Sequence, residues 1–184
     1  MRVLETALDG VVIFEPTILP DRRGYLFESY NQLAFATASG ASAGFVLDLR
    51  TRSKRGVIRG IHYQLLRPQG KLVCALAGHI FDVTVDLRRS SRTFGRWFGV
   101  ELSGDNGRQI WIPPGFGHAF LALSPTADVL YKLSDYHFPE HGRTVAWNDP
   151  DIAIDWPLPT DLREPILSDK DSQGAALREA EVFA

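Results

Sequence analysis

A single cysteine, Cys74, stands in 184 residues, which excludes an internal disulfide and any thiolate metal cluster. No apolar run reaches membrane-spanning length, and the opening MRVLETALDGVV lacks the charged-then-apolar order of a secretory leader. The expected location is therefore the cytoplasm, with no membrane partner. Charge of one sign is equally scarce. Lys and Arg number 20 against 22 Asp and Glu, and the basic residues are scattered singly or in pairs, so a general nucleic-acid binder is excluded. Any anionic ligand must be gripped locally. Low-complexity linkers and internal repeats are missing as well.

What is present is bulk suited to a core: 11 Phe, 4 Trp and 5 Tyr, with 45% hydrophobic side chains overall. Period-2 segments rich in Val, Ile, Phe and Tyr recur at residues 11–14, 25–30, 45–48, 57–64, 71–77 and 79–87. Four more follow at 94–102, 109–112, 118–123 and 129–133, separated by Asp105-Asn106-Gly107, Pro113-Pro114-Gly115 and Ser124-Pro125 turns. Many short strands without intervening helices predict an all-β fold, a mainly antiparallel jelly-roll sandwich or barrel. Helix is expected only at residues 31–38 and in the Ala- and Glu-rich stretch 175–182. One domain spans 1–184, with N-terminal strands to about residue 50, a barrel core at about 51–137, and an irregular wrap with a terminal helix beyond.

The densest polar cluster within strand-like sequence is Arg59-Gly60-Ile61-His62-Tyr63-Gln64, with Lys71 following a Pro-Gln-Gly turn. If that turn closes a hairpin, His62 and Lys71 sit on adjacent strands at one pocket. A hydrogen-bonded core histidine beside a strand-end lysine would give the same pattern. Alternation puts His62 and Gln64 on one face and Arg59 on the other. Gly60 is a candidate bulge that could re-aim Arg59 toward the histidine. A second cluster, Pro113-Pro114-Gly115-Phe116-Gly117-His118, delivers His118 to the start of a strand, as cupin-type jelly rolls do. Their metal-binding members need a His-x-His and a glutamate in the first half. Here that position reads His62-Tyr63-Gln64, so no metal is expected. Tyr131 lies in a strand that should enter the same barrel, and Asp171 is either a solvated loop acid or a carboxylate folding back onto His62.

Taken together the motifs resemble the dTDP-4-dehydrorhamnose 3,5-epimerases, dimeric cupin-fold enzymes acting on a nucleotide-linked 4-keto-6-deoxyhexose. The resemblance runs through Asp21-x-Arg23-Gly24-x-x-x-Glu28, Gly56-Val57-Ile58-Arg59-Gly60-Ile61-His62-Tyr63-Gln64, Gln69-Gly70-Lys71, Phe81-Asp82-Val83, Trp111-Ile112-Pro113-x-Gly115-Phe116-x-His118, Tyr131-Lys132, Trp147-Asn148-Asp149 and Leu167-Ser168-x-Lys170-Asp171. It implies an isomerase that needs neither metal nor cofactor. His62 would be the base, Asp171 its carboxylate partner, Lys71 the cation at the keto oxygen and Tyr131 the opposing proton donor. Such a set meets the need to remove a proton from one face, stabilise an enolate and deliver a proton to the other.

The same resemblance implies substrate binding by Arg23, Glu28, Arg59, His118 and Lys170, with Tyr136 and His137 near the nucleotide base. Arg23 and Glu28 would be supplied across a homodimer interface formed by the N-terminal strands. Several positions depart from the pattern. The usual Phe-x-Gln-Asp-Asn is Phe45-Val46-Leu47-Asp48-Leu49, the tyrosine that stacks on thymine aligns with His137, and a glutamate near Gly142 is absent. These changes leave an enzyme inverting C3 alone, or C5 alone, in a specialised deoxysugar pathway, as an alternative. A metal-dependent cupin and a non-catalytic sugar-nucleotide binder are further alternatives.

Overall fold

Strand-forming segments divided by Gly, Pro and Asn turns pair in this chain as two facing antiparallel sheets. The computed structural model describes residues 1–41 and 44–184. The larger sheet contains β1 (Arg2–Glu5), β2 (Val12–Glu15), β10 (Gln109–Ile112), β7 (Lys71–Ala77), β12 (Thr126–Leu133) and β5 (Leu47–Lys54), in that spatial order. The second contains β13 (Gly142–Thr144), β6 (Ile58–Gln64), β11 (Phe116–Ala122), β8 (His79–Asp86) and β9 (Trp97–Ser103). Consecutive strands repeatedly change sheet, which gives the expected jelly roll. β3 (Leu19–Asp21) and β4 (Gly24–Leu26) form a separate ribbon.

Three apolar clusters among the described residues hold the sheets. Ile13, Val73, Ile110 and Val129 of the larger sheet meet Ile80, Leu102, Phe116 and Phe120 of the smaller one in the central core. The outer face of the smaller sheet is covered by the C-terminal wrap, where Ile61, Val83 and Val85 pack on Val145, Ile152 and Leu177. On the outer face of the larger sheet, Val12, Phe14, Leu72 and Trp111 receive Phe35 of α1 (Gln32–Ser39). Both faces of the central strands are thus dry, and β11 is buried along its whole length. A strand covered on both sides need not alternate polar with apolar.

Several boundaries differ from expectation. Strand structure after Gly24 stops at Leu26 rather than continuing to residue 30, because the chain turns to α1, whose first turn is capped by the Asn31 side chain accepting from Ala34 N–H at 3.1 Å. The turn at Pro68-Gln69-Gly70 closes no hairpin. It carries the chain from β6 in one sheet to β7 in the other. The expected helix at 175–182 does not form. Ala175 bridges to Val145 and Phe183 to Arg88, while Leu177 N–H is taken by the Asp149 carboxylate at 2.8 Å. These tertiary bonds outweigh local propensity, which is too weak to sustain so short a helix alone. Asp171 lies in a one-turn helix, α2 (Asp169–Ser172), capped by Ser168. No helix among the described residues is long and apolar enough to cross a membrane.

Candidate active site

At one end of the sandwich the inner faces turn polar and enclose an open-mouthed cavity of about 210 Å³. On β12 the inward side chains are Tyr131 and Leu133, flanked by Val73 and Lys71 on β7 and by Leu49 and Leu47 on β5. The smaller sheet supplies Arg59, His62 and His118 to the opposite wall, and α2 adds Lys170. Lys71 and His62, on strands of different sheets, nonetheless meet. The Lys71 ammonium donates to the His62 carbonyl at 3.0 Å.

The puzzle of Arg59 is resolved by register. On β11, His118 pairs with His62 and Phe120 with Arg59, so three residue steps on β6 oppose two on its partner. This is a bulge, and it puts Arg59 on the same face as His62. Gly60 sits at its centre with φ 123°, where a Cβ would lie 2.4 Å from that of Ala119. Only glycine fits there. Arg59 Nε then donates to the buried Ser53 hydroxyl at 2.9 Å, leaving its fork at the cavity.

His62 Nε2 is bonded to the Asp171 carboxylate. That bond selects the tautomer with the proton on Nε2 and leaves the Nδ1 lone pair as the basic site. Burial pulls the imidazole below its ordinary pKa, against the opposing pull of Asp171, which keeps the ring neutral and able to accept a proton. Burial would raise the Asp171 pKa, but the bonds from His62, Ser168 and the Gly60 backbone hold it below the ordinary carboxylate range. The Tyr131 phenol is raised by burial and therefore keeps its proton at neutral pH. Its hydroxyl lies 3.5 Å from the Thr51 hydroxyl, and its ring meets His118 edge-on with centroids 5.8 Å apart. Burial brings Lys71 down to about 8, which still leaves it a cation at neutral pH.

Not every expected residue is brought here. Arg23, in the β3–β4 ribbon, is 82% exposed and paired with Asp21 at 2.7 Å. Glu28 accepts from Asn31 at 3.1 Å on the surface. Neither lines the cavity of its own chain. His137 does, whereas Tyr136 is 55% exposed and only its backbone is held, its carbonyl accepting from Gln69 at 2.9 Å. Sequence reasoning gave no role to Thr51, Gln69 or Arg143, which also line the cavity, or to Asp82 beneath His118. An acid between apolar neighbours in mid-strand, Phe81-Asp82-Val83, was the available signal for Asp82. Among the described residues, no group of three or more His, Cys, Asp or Glu side chains is placed to hold a metal ion.

The fold, with a histidine–carboxylate pair, a lysine and a phenol converging on one cavity, defines an isomerase of the epimerase class. The model of the dTDP-4-dehydrorhamnose 3,5-epimerase family matches residues 5–179, and the chain belongs to that family. It is 52% identical to the dTDP-4-dehydrorhamnose 3,5-epimerase of Pseudomonas aeruginosa over 100% of this chain and 99% of that protein. A Legionella pneumophila dTDP-6-deoxy-D-glucose-3,5-epimerase, solved in complex with dTDP-4-keto-L-rhamnose, superposes with a TM-score of 0.93 at 45% identity, covering 98% of this chain and 94% of that one. A 3'-monoepimerase of Streptomyces bikiniensis, in complex with dTDP-quinovose, superposes at 0.87 with 34% identity, covering 94% and 86%.

Proposed function

We propose that this chain inverts C3 and C5 of dTDP-4-keto-6-deoxy-D-glucose through an enolate, giving dTDP-4-keto-L-rhamnose. The observation that carries this reading is the convergence of His62 and Tyr131, from opposite sheets, on one cavity that also holds Lys71. His62 takes the proton next to the ketone, and Asp171 stabilises the imidazolium that forms. Negative charge then grows on the keto oxygen, where the Lys71 ammonium stabilises the transition state more than the ground state. Tyr131 returns a proton to the other face. Both reacting carbons flank one ketone, so the same pair serves each in turn as the sugar ring reorients.

A cavity of about 210 Å³ is smaller than the usual ligand pocket and takes a sugar, not a whole nucleotide sugar. The diphosphate would lie at the mouth, where Arg59 and Lys170 offer cationic groups, with His118 lining the buried part of the cavity and His137 beyond toward the base. Arginine suits this grip because its planar fork matches phosphate oxygens. Arg23 and Glu28 would complete the nucleotide site from a second copy of the chain. The β3–β4 ribbon carries exposed Leu19, Tyr25 and Leu26, apolar side chains suited to burial in a homodimer. If so, mixing R23A with H62N subunits restores activity, because one site of each mixed dimer has both residues intact. Strict additivity of the two weakened activities would place Arg23 in its own subunit's site.

The overall reading is tested by incubating the protein with dTDP-4-keto-6-deoxyglucose in heavy water and following label by NMR. Deuterium at C3 and C5 is the expected result, and no label at either carbon would overturn it. Label at C3 alone would select the C3-only reading.

A further inference from the structure

Two inversions on one bound sugar place a demand on the proton donor. Each inversion takes a proton from Tyr131 and leaves one on His62, so both groups must be reset before the second carbon reacts. An empty cavity resets them with its own water. A cavity of about 210 Å³ that holds the sugar, with the diphosphate across its mouth, has no such room, and the phenol then needs a supply from its own wall. Among the described residues, one side chain comes within hydrogen-bonding reach of the phenol oxygen. It is Thr51 on β5, whose hydroxyl lies 3.5 Å away, the outer limit of a hydrogen bond and of the kind that tightens when substrate binds. His118, the other polar neighbour of the ring, meets it edge-on and has Nε2 engaged by Asp82.

Strand pairing puts the threonine there and holds it. Leu49 stands opposite Tyr131 and Thr51 opposite Val129 in the β5–β12 register, so Thr51 shares the inward face with the phenol, one diagonal step along. On the other face Arg50 and Arg52 pair with Asp128 of β12 at 3.0 and 2.7 Å, while Ser53 on the inner face accepts from Arg59. Thr51 is thus clamped from both sides. β5 is the outermost strand of the larger sheet, bonded to β12 alone, and Thr51 is half-buried at the cavity wall. Its hydroxyl has no partner but the phenol among the described residues, although a hydroxyl both donates and accepts. It is therefore free to bond water on its other side.

We propose that Thr51 is a positioning residue that resupplies Tyr131 between the two inversions. Its hydroxyl gives a proton to the phenolate left by the first inversion and takes one from water, while the His62 imidazolium returns its proton to solvent. One proton enters and one leaves, and no bond to carbon changes. Thr51 acts through the phenol, and its presence lets the second carbon react before the sugar departs. The inference rests on the two-carbon reading above, so its test follows the two carbons separately.

Thr51→Val keeps the shape and removes the hydroxyl, and Thr51→Ser keeps the hydroxyl. Each is given excess dTDP-4-keto-6-deoxyglucose in heavy water, and the earliest released sugar is sorted by NMR into singly and doubly labelled forms. The wild type and Thr51→Ser are expected to release doubly labelled sugar from the outset. In Thr51→Val the first carbon should be labelled at the wild-type rate, singly inverted sugar should accumulate in solution, and the ratio of double to single label should fall by about 10²-fold, the lower end of what a positioned proton-transfer group contributes. Thr51→Ala replaces the valine variant if that one fails to fold. A wild-type ratio in the variant without the hydroxyl would overturn the relay, and so would an equal slowing at both carbons, which is the mark of a residue that only shapes the wall. A wild type that itself releases mostly singly labelled sugar, and inverts the second carbon after rebinding, would overturn the relay and leave the two-carbon reading standing. A wild type that never labels the second carbon would overturn both.

Discussion

In the His62→Asn variant, deuterium entry at C3 and at C5 is expected to stop together, with kcat lowered by about 10²–10⁴, the usual contribution of a positioned general base. Asparagine is informative when paired with His62→Gln. Asp171 is buried, and a carboxylate stripped of its donor would carry the cost of an unpaired buried group. The asparagine amide reaches only the place of Nδ1 and falls short of Asp171, whereas glutamine extends to the place of Nε2 and can still donate; neither amide has a lone pair basic enough to take a carbon-bound proton. Thermal stability should stay close to wild type in His62→Gln and fall in His62→Asn, and thymidine diphosphate should bind both with unchanged affinity, because the proposed diphosphate grip lies on Arg59 and Lys170. Exchange retained at the wild-type rate would remove His62 from the role of base. Loss of both exchange and nucleotide binding would instead point to local collapse, separable by the melt.

The sandwich was legible because its strands carry their own punctuation. β10 ends at Pro113-Pro114-Gly115, and the stretch preceding it turns at Asp105-Asn106-Gly107, so the chain states where strands stop. The site was legible for a different reason. Histidine, lysine and arginine inside β-branched sequence are conspicuous, and a glycine amid them marks the bulge that unites Arg59 with His62. What stayed hidden depends on partners distant in the chain. The Ala-rich 175–182 segment reads as helix until Val145, Asp149 and Arg88 claim its backbone. The turn before Lys71 reads as a hairpin, since nothing local distinguishes a reversal within one sheet from a crossing to the other. Asp82 remained mute because its meaning arises only when β11 sets His118 beside it.

Base and acid can be told apart by a second substitution. Tyr131→Phe removes one oxygen from a ring that stays packed against His118 and Val73, and its lost contact to Thr51 is a long one at 3.5 Å, so folding should be little affected. Inverted product is expected to fall by about 10²–10⁴. Exchange, however, need not stop. His62 still removes the proton, Lys71 still stabilises the enolate, and the imidazolium can trade its proton with solvent before returning it to the same face. In heavy water the variant should therefore incorporate deuterium at C3 with retained configuration, a signature that His62→Asn cannot give. The asymmetry follows from where each group stands. A donor on the β12 wall determines which face is reprotonated, whereas the pair on β6 and α2 determines whether a proton leaves at all. Wild-type inversion by the phenylalanine variant would remove the phenol from the scheme, and loss of exchange along with inversion would make the two groups inseparable parts of one step.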